Sequence, residues 1–160
     1  MHYYTYYDSP VGRLLLECDG TALTGLWIEN QKYYAAGAAD MRHIDDTQPV
    51  FDAARAWLDE YFAGAMPMVA CPPLRPRGTD FQRRVWDALR HIPYGCVMTY
   101  GDIAAKLHSA PRAVGGAIGR NPISIIIPCH RVIGTNGALT GYAGGLTAKE
   151  TLLRLEQNGA

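Results

Sequence analysis

The sequence predicts an α+β protein, with a small sheet-and-helix domain first and a mainly helical domain after it. The N-terminal part contains strand-like runs followed by one amphipathic helical pattern, whereas the C-terminal part contains short helices with strong capping signals. The proline- and arginine-rich segment CPPLRPRG at 71–78 divides the two parts. We therefore predict domains at 1–72 and 79–160, joined by a linker at 73–78.

Three runs of aromatic and aliphatic residues in the N-terminal domain are typical of β-strands. They are Tyr3–Tyr7, Leu14–Cys18 and Ala22–Ile28. The Asp19-Gly20 pair between the last two runs predicts a tight hairpin turn. A helix is predicted over residues 49–64, because apolar side chains recur there at helical spacing before a final glycine.

Two capping patterns open helices in the C-terminal domain. Thr79 with Gln82 begins a helix that runs through Arg90, and Thr99 with Asp102 begins another. In such a pair, the threonine side chain and the side chain three residues later cap each other's backbone N–H groups. The first turn of both helices is therefore predicted with some precision.

A short turn at 109–111 leads from the second of these helices into a third that begins at Arg112. Two short helices joined by a tight turn are typical of a helix-turn-helix, although an ordinary helical hairpin has the same pattern. A last helix is predicted over residues 147–156.

Charge is divided unevenly between the two halves of the chain. Residues 1–72 hold four Lys and Arg against ten Asp and Glu, a formal charge of −6, whereas residues 73–160 hold eleven against five, a charge of +6. A basic half is typical of proteins that bind nucleic acid, although a solvated basic face looks the same. The sequence has neither a long apolar run nor a signal-peptide pattern, so we expect a cytoplasmic protein without membrane contacts.

The four cysteines of the chain are far apart, and none has partners at metal-ligand spacing. In a reducing compartment Cys18, Cys71, Cys96 and Cys129 are expected to be free thiols. We predict neither a metal nor a cofactor, which leaves room for one reactive thiol.

The reactive thiol is predicted at Cys129. An isoleucine-rich run ends at Pro128, and a thiol, an imidazole and a guanidinium follow at Cys129, His130 and Arg131. Basic neighbours favour the thiolate, which is the nucleophilic form of cysteine. Because adjacent side chains point apart, we expect a water to bridge thiol and imidazole and a carboxylate from elsewhere to orient the ring. This spacing argues against a cysteine hydrolase.

Several motifs resemble those of the O6-alkylguanine-DNA alkyltransferases, also called methylated-DNA–protein-cysteine methyltransferases. They are NP at 121–122, PCHRV at 128–132, RAVGGA at 112–117, FQRRVWDALRHIPYGCVMTYGDIA at 81–104, GYAGG at 141–145 and KETLLRLE at 149–156. The likeness runs through residues 79–158, and the N-terminal domain resembles the family's small ribonuclease-H-like domain in outline.

The resemblance implies a DNA-repair protein that moves an alkyl group from the O6 of a damaged guanine to Cys129, irreversibly and once per molecule. It implies that His130 takes the thiol proton through a water and that Glu156 orients the imidazole. It also implies that Tyr100 donates a proton to the guanine ring and that Asn121 shapes the turn beside the site.

The partner implied by the resemblance is double-stranded DNA containing O6-alkylguanine, approached through the minor groove by a monomer. Chemistry on a stacked base requires that the base be extruded, and Arg112 matches the arginine that takes its place in the duplex. Small residues after it give a thin helix face for close approach: Ala113, Gly115, Gly116 and Ala117. The residues matched to the alkyl pocket are Pro128, Val132, Tyr142 and Ala143.

Two rival classes share parts of this pattern. Relatives that bind alkylated DNA without reacting carry tryptophan at the position of Cys129, and a helix-turn-helix regulator would lack a reactive thiol. The chain departs from the family's usual pattern in one place, because the turn before Arg112 is shorter and Pro111 directly precedes the arginine.

Overall fold

The computed structural model describes residues 2–29, 31, 34–35, 44–137, 142 and 145–158. An antiparallel sheet forms first, with strands β1 (Tyr3–Ser9), β2 (Gly12–Cys18) and β3 (Leu23–Ile28) in the order β1-β2-β3. Leu14 of β2 pairs with Ile28 of β3, and the ladder between β1 and β2 continues to Ser9 opposite Gly12. The three predicted strands are therefore confirmed, although β1 and β2 are each two residues longer than predicted and β3 begins one residue later.

The connection between β2 and β3 is wider than the tight turn predicted at Asp19-Gly20. It spans residues 19–22 and is closed by a hydrogen bond from Asp19 N to Ala22 O at 3.1 Å. The Asp19 carboxylate accepts from the backbone N–H groups of Thr21 and Ala22, both at 2.9 Å. These side-chain bonds to the backbone hold the wider turn in place of a two-residue hairpin.

Helix α1 (Pro49–Phe62) contacts all three strands. Phe51, Ala54 and Leu58 on its inner face are fully buried, which confirms the predicted apolar face. Its proline lies in the first turn, where the missing N–H leaves no helical hydrogen bond unmade.

The second half of the described chain is mainly helical. Its helices are α2 (Asp80–Arg90), α3 (Tyr100–Leu107), α4 (Pro111–Gly119) and α5 (Leu146–Asn158). Both predicted capping boxes are present: the hydroxyl of Thr79 accepts from Gln82 N at 3.1 Å, and that of Thr99 accepts from Asp102 N at 3.0 Å. None of the helices within the described ranges is long and apolar enough to cross a bilayer.

The short turn before Arg112 is made by a left-handed residue. His108 ends α3 with φ 51° and ψ 46°, and α4 begins at Pro111. A left-handed residue at a helix end reverses the chain abruptly, and proline is favoured in a first helical turn. The two helices pack against each other across this turn.

The outer edge of β3 is covered by two later segments. Leu23 N donates to Pro73 O in the linker, and Leu26 N donates to Pro122 O, both at 2.8 Å. Ser124 N returns a bond to Leu26 O at 2.9 Å. The linker therefore lies along the sheet, and one continuous apolar core joins residues of the first strands to Leu152 of α5.

Arg77 of the linker also pairs with a carboxylate inside the N-terminal part. Glu17 is fully buried and accepts from the hydroxyls of Tyr4 and Thr24, each at 2.6 Å, and from the Arg77 guanidinium at 2.6 Å. Burial on its own raises the pKa of Glu17, but the bonds from Thr24, Tyr4 and Arg77 outweigh it and lower the pKa below its ordinary value. The linker is thus tied to the sheet by charge as well as by backbone bonds.

We expect Arg77→Ala to lower the free energy of unfolding by about 2–3 kcal/mol, because it leaves a buried carboxylate without its cation. Arg75→Ala is the matched control, since Arg75 pairs with Asp19 from a more exposed position on the same linker. Its expected loss is at most about 1 kcal/mol. Urea denaturation at neutral pH measures both.

The lowered pKa of Glu17 sets the sign of the pH dependence of the free energy of unfolding. A carboxylate whose pKa is lowered by folding stabilises the fold above its ordinary pKa, and this stabilisation is lost as the pH falls. The difference between Arg77→Ala and the unsubstituted protein should therefore shrink in acid. Equal losses of unfolding free energy in the two arginine variants would show that Arg77 does not stabilise the buried Glu17 carboxylate.

Candidate active site

The segment that leads to Cys129 contains a strained turn. Ile126 N donates to Ser124 O at 2.8 Å, which makes a γ-turn centred on Ile125. Ile125 has φ 72°, in the left-handed region that β-branched residues rarely adopt. Such a conformation costs about 1–3 kcal/mol, so the surrounding contacts must hold it in place.

Asn121 supplies those contacts from inside the loop. Its Oδ1 accepts from Ile123 N at 3.0 Å, and its Nδ2 donates to Ile127 O at 2.9 Å. The same carbonyl accepts from Cys129 N at 2.8 Å around Pro128, whose φ of −81° and ψ of 64° form an inverse γ-turn. One buried side chain therefore fixes both ends of the segment before Cys129.

Cys129 begins a 3₁₀ turn, Cys129–Arg131, and is 3% exposed. Burial raises the pKa of its thiol, whereas the nearby polar side chains of Asn121 and Tyr142 and the positive charge of Lys149 act to lower it. The balance leaves the pKa raised, so the resting sulfur keeps its proton. Basic neighbours alone, on which the sequence analysis relied, do not produce the thiolate, and reaction requires a base.

Glu156 on α5 is the carboxylate that orients the His130 ring. It is buried, and its Oε2 lies 2.5 Å from His130 Nε2 and accepts from the hydroxyl of Tyr61 at 2.6 Å. The guanidinium of Arg131 donates to both oxygens, at 2.8 and 3.1 Å, and Gly95 N donates to Oε1 at 3.2 Å. Burial on its own raises the pKa of Glu156, but the bonds from His130 and Arg131 outweigh it and lower the pKa to about 2.

His130 is fully buried and oriented by Glu156. Burial lowers the pKa of its imidazole, although the Glu156 charge opposes this shift. The ring is therefore neutral at neutral pH, with its proton on Nε2, because that nitrogen faces the carboxylate. Among the described residues, none hydrogen-bonds to Nδ1, so this nitrogen is available as a proton acceptor.

Lys149 is the second buried cation beside the site, with Arg131. Its ammonium group on α5 donates to Val132 O at 2.6 Å and is fully buried. Burial lowers its pKa, and the charge of the Cys129 thiolate raises it. Lys149 therefore places positive charge close to the sulfur of Cys129.

Tyr100 is brought to this region by a strand pair that the sequence analysis missed. β4 (Met98–Thr99) and β5 (Val132–Ile133) are parallel, with Met98 opposite Val132 and Thr99 opposite Ile133. Tyr100 follows β4 directly and is half-buried at the first position of α3. The pairing therefore places the start of α3 next to the chain that leaves Cys129.

The predicted DNA-facing residues all lie on α4, but one of them is buried. Arg112, Ala113 and Gly116 are exposed, and Gly115 is half-buried with its Cα facing the Tyr100 ring. Ala117 is different, since it is buried and its carbonyl accepts from the indole of Trp86 at 2.8 Å. Ala117 packs the helix against α2 and cannot belong to the exposed face.

The residues predicted to line an alkyl pocket lie around Cys129 as far as the structure describes them. Pro128 and Val132 are buried on either side of the 3₁₀ turn, and the ring of Tyr142 lies edge-on to that of His130, with centroids 6.5 Å apart. Ala143 lies outside the described residues.

Three residues of the site had no predicted role: Tyr61, Arg131 as a ligand of Glu156, and Lys149. The helical spacing of apolar residues places Tyr61 and Lys149 on helices but does not predict their contacts with the site. A lysine at a buried position of an amphipathic helix is the one local signal that singles out Lys149, because lysine is almost never buried without a polar partner.

Comparisons with known proteins identify the family. The model of the 6-O-methylguanine DNA methyltransferase ribonuclease-like domain matches residues 2–70, and that of the DNA-binding domain of the same family matches residues 80–158. The methylated-DNA–protein-cysteine methyltransferase of Haemophilus influenzae is 48% identical over 157 residues, 97% of this chain and 86% of that protein.

A second relative and a solved structure agree with this result. The methylated-DNA–protein-cysteine methyltransferase of Methanosarcina acetivorans is 42% identical over 170 aligned residues, with 96% of this chain and 97% of that protein covered. A crystal structure of Mycobacterium tuberculosis OGT in complex with DNA superposes with a TM-score of 0.86 at 45% identity, covering 99% of this chain and 94% of the other. The chain therefore belongs to the 6-O-methylguanine DNA methyltransferase family.

Proposed function

We propose that this chain is a methylated-DNA–protein-cysteine methyltransferase and that Cys129 accepts the alkyl group from O6-alkylguanine in DNA. The names of its relatives support the activity. The observation that carries the assignment of Cys129 is the buried pair beside it, in which His130 Nε2 lies 2.5 Å from Glu156 Oε2. Because Glu156 accepts the proton on Nε2, the other ring nitrogen of His130, Nδ1, can act as the base.

The transfer exchanges one bond for another and moves two protons. The Cys129 proton passes to His130 Nδ1 through a bridging water, and the sulfur attacks the alkyl carbon. The S–C bond forms as the C–O6 bond breaks, and the electron pair of that bond stays with guanine. Tyr100 gives the guanine ring a proton, so guanine leaves neutral. His130 then gives its added proton to water, and Tyr100 takes a proton from water. Overall, one proton has moved from the Cys129 thiol to guanine.

Charges around the sulfur lower the barrier to this step. The polar side chains of Asn121 and Tyr142 and the Lys149 cation lie near the sulfur and favour the thiolate. Because these groups are held in a buried site, they need not reorganise as the charge forms. The site therefore stabilises the thiolate when it is needed, although burial keeps the resting thiol protonated.

Duplex DNA is the proposed substrate, approached through its minor groove by α4 of a cytoplasmic monomer. Mycobacterium tuberculosis OGT, which this chain resembles, has been crystallised with DNA. Arg112 is exposed in the first turn of α4, beside small residues that permit close approach. We assign to Arg112 the filling of the gap that the extruded base leaves in the stack.

The domain boundaries at 1–72 and 79–160 remain part of the proposal. Two family models match on either side of residues 71–79, which supports two evolutionary modules. The modules share one core, so the boundary separates sequence units and not independent folding units.

We expect each molecule to act once. A thioether on Cys129 is stable, and among the described residues no second nucleophile is placed to remove the alkyl group. Repaired guanine plotted against protein should reach a plateau at one equivalent, and intact-mass spectra should show the gain of one methylene from an O6-methylguanine oligonucleotide.

Peptide mapping of the same samples should place the methyl group on Cys129 alone. Cys18 is buried in β2, and Cys71 and Cys96 are exposed thiols; none of the three has the Glu156–His130 pair as its neighbour in sequence. Cys129→Ser should abolish transfer and retain DNA binding. Repeated turnover would contradict the mechanism, as would a label on another cysteine.

Arg112→Ala should slow repair of duplex DNA by at least about tenfold, because it removes the side chain that offsets a few kcal/mol of unstacking. Its reaction with free O6-benzylguanine should be nearly unchanged, since a free base needs no extrusion. Arg154→Ala controls for lost charge, because Arg154 is an exposed cation of α5 paired with Glu150. Equal losses of Arg112→Ala on both substrates would exclude the extrusion role.

Tyr100→Phe should slow alkyl transfer by about 10²- to 10⁴-fold, the usual contribution of a positioned proton donor. DNA affinity should stay close to that of the unsubstituted protein, because only one hydroxyl is removed. Single-turnover rates and fluorescence anisotropy with a duplex measure the two effects. A parallel fall in rate and affinity would identify Tyr100 as a binding residue.

A further inference from the structure

Tyr61 belongs to the N-terminal part of the chain but reaches the residues that prepare Cys129. Its side chain projects from α1 and is fully buried. Its hydroxyl donates to Glu156 Oε2 at 2.6 Å and lies 3.4 Å from His130 Nε2. The rings of Tyr61 and His130 meet edge-to-face, with centroids 6.5 Å apart.

One oxygen atom therefore serves two donors. Glu156 Oε2 accepts from the Tyr61 hydroxyl and faces His130 Nε2 at 2.5 Å. Each hydrogen bond that the oxygen accepts spreads its negative charge and reduces what it offers to the other donor. Without the tyrosine bond, Glu156 would stabilise the protonated imidazole more strongly.

The hydroxyl can act only as a donor to this carboxylate. Burial raises the pKa of Tyr61, and the charge of Glu156 raises it further. A carboxylate whose pKa is about 2 has no proton to give in return. The direction of the bond is therefore fixed at every pH at which Glu156 is ionised.

We propose that Tyr61 is a positioning residue for alkyl transfer: by sharing Glu156 Oε2 with His130, it keeps the imidazole neutral and oriented, ready to take the thiol proton. The inference rests on the function proposed above. It makes α1 a part of the active site, because the N-terminal part supplies the group that sets the strength of the base.

Packing alone does not account for the hydroxyl. The Tyr61 ring stacks on Trp57 with centroids 5.3 Å apart and meets Phe62 and Tyr94 edge-on. A phenylalanine would keep all of these ring contacts. What the hydroxyl adds is its hydrogen bond to Glu156, which compensates the burial of both polar groups.

The test is the pH profile of transfer in Tyr61→Phe. Single-turnover rates with free O6-benzylguanine avoid any effect on DNA binding. We expect the acid limb of the profile to move to higher pH by about half a unit to one unit, the value of one charge-assisted hydrogen bond shared between two donors. The rate at high pH should stay close to that of the unsubstituted protein.

Tyr7→Phe is the matched control. The Tyr7 hydroxyl donates to the carboxylate of Asp59 on α1 at 2.6 Å, so the same kind of bond is lost from the same helix without touching the site. Its acid limb should not move. If Tyr61→Phe lowers the rate uniformly and leaves the limb in place, Tyr61 has only a packing role and the proposal is overturned.

A second measurement needs neither substrate nor reaction. Titration of the His130 ring by ¹⁵N NMR should show a higher pKa in Tyr61→Phe than in Tyr7→Phe. In a Glu156→Gln background, Tyr61→Phe should cause no further shift, because the effect passes through the carboxylate. A shift that persists there would overturn the route through Glu156. If no protein in the series transfers an alkyl group, the proposed function fails, whereas the His130 titration still decides the role of Tyr61.

Discussion

The site depends on the hydrogen bonds and ion pairs that the buried carboxylate of Glu156 accepts. A negative charge in an apolar interior is tolerated only when it is paired and hydrogen-bonded, and here three segments supply the donors: α1, the Gly95 turn and the 3₁₀ turn that carries His130 and Arg131. Because these segments are far apart in sequence, the charge holds together parts of the chain that local structure does not connect. The same requirement for donors orients His130, so the bonds that stabilise the buried carboxylate also hold the imidazole beside Cys129 in place.

The second constraint is the edge of β3. Leu23 and Leu26 would leave unpaired backbone groups at a buried edge, and the linker and the segment before Cys129 satisfy them. This explains why a γ-turn with Ile125 in the left-handed region persists: the chain is bound to the sheet on one side and to Asn121 on the other. The sheet is therefore a support for the active-site loop, not a separate module beside it.

Local patterns in the sequence predict most of the secondary structure and the reactive residue. Thr79 and Thr99 mark the starts of α2 and α3 because a capping box is a contact between residues three apart. Cys129 and His130 are recognisable because they are adjacent. The partners of Tyr61 and Lys149 and the pairing of β4 with β5 were not predictable, since the contacting residues lie far apart along the chain. Ala117 was placed on the exposed face for the same reason: its burial comes from packing against α2, where its carbonyl also accepts from the indole of Trp86. The wider turn at Asp19 depends on a side-chain geometry that the Asp-Gly signal does not specify.

Placing the orienting carboxylate on α5 has a consequence for a growing polypeptide. Synthesis proceeds from the N terminus, and early segments begin to fold while later ones are still being made. The strands, α1 and the thiol of Cys129 all precede Glu156 and Lys149 in the chain. Until α5 has been made and docked, His130 lacks its carboxylate and the sulfur lacks its nearby ammonium. A nascent chain therefore carries an exposed cysteine of ordinary pKa, without the burial that keeps the folded thiol protonated at rest. On the single-turnover function proposed above, an electrophile that reached this thiol early would use up the acceptor before the molecule could recognise a lesion, so docking of α5 is also what closes off that loss.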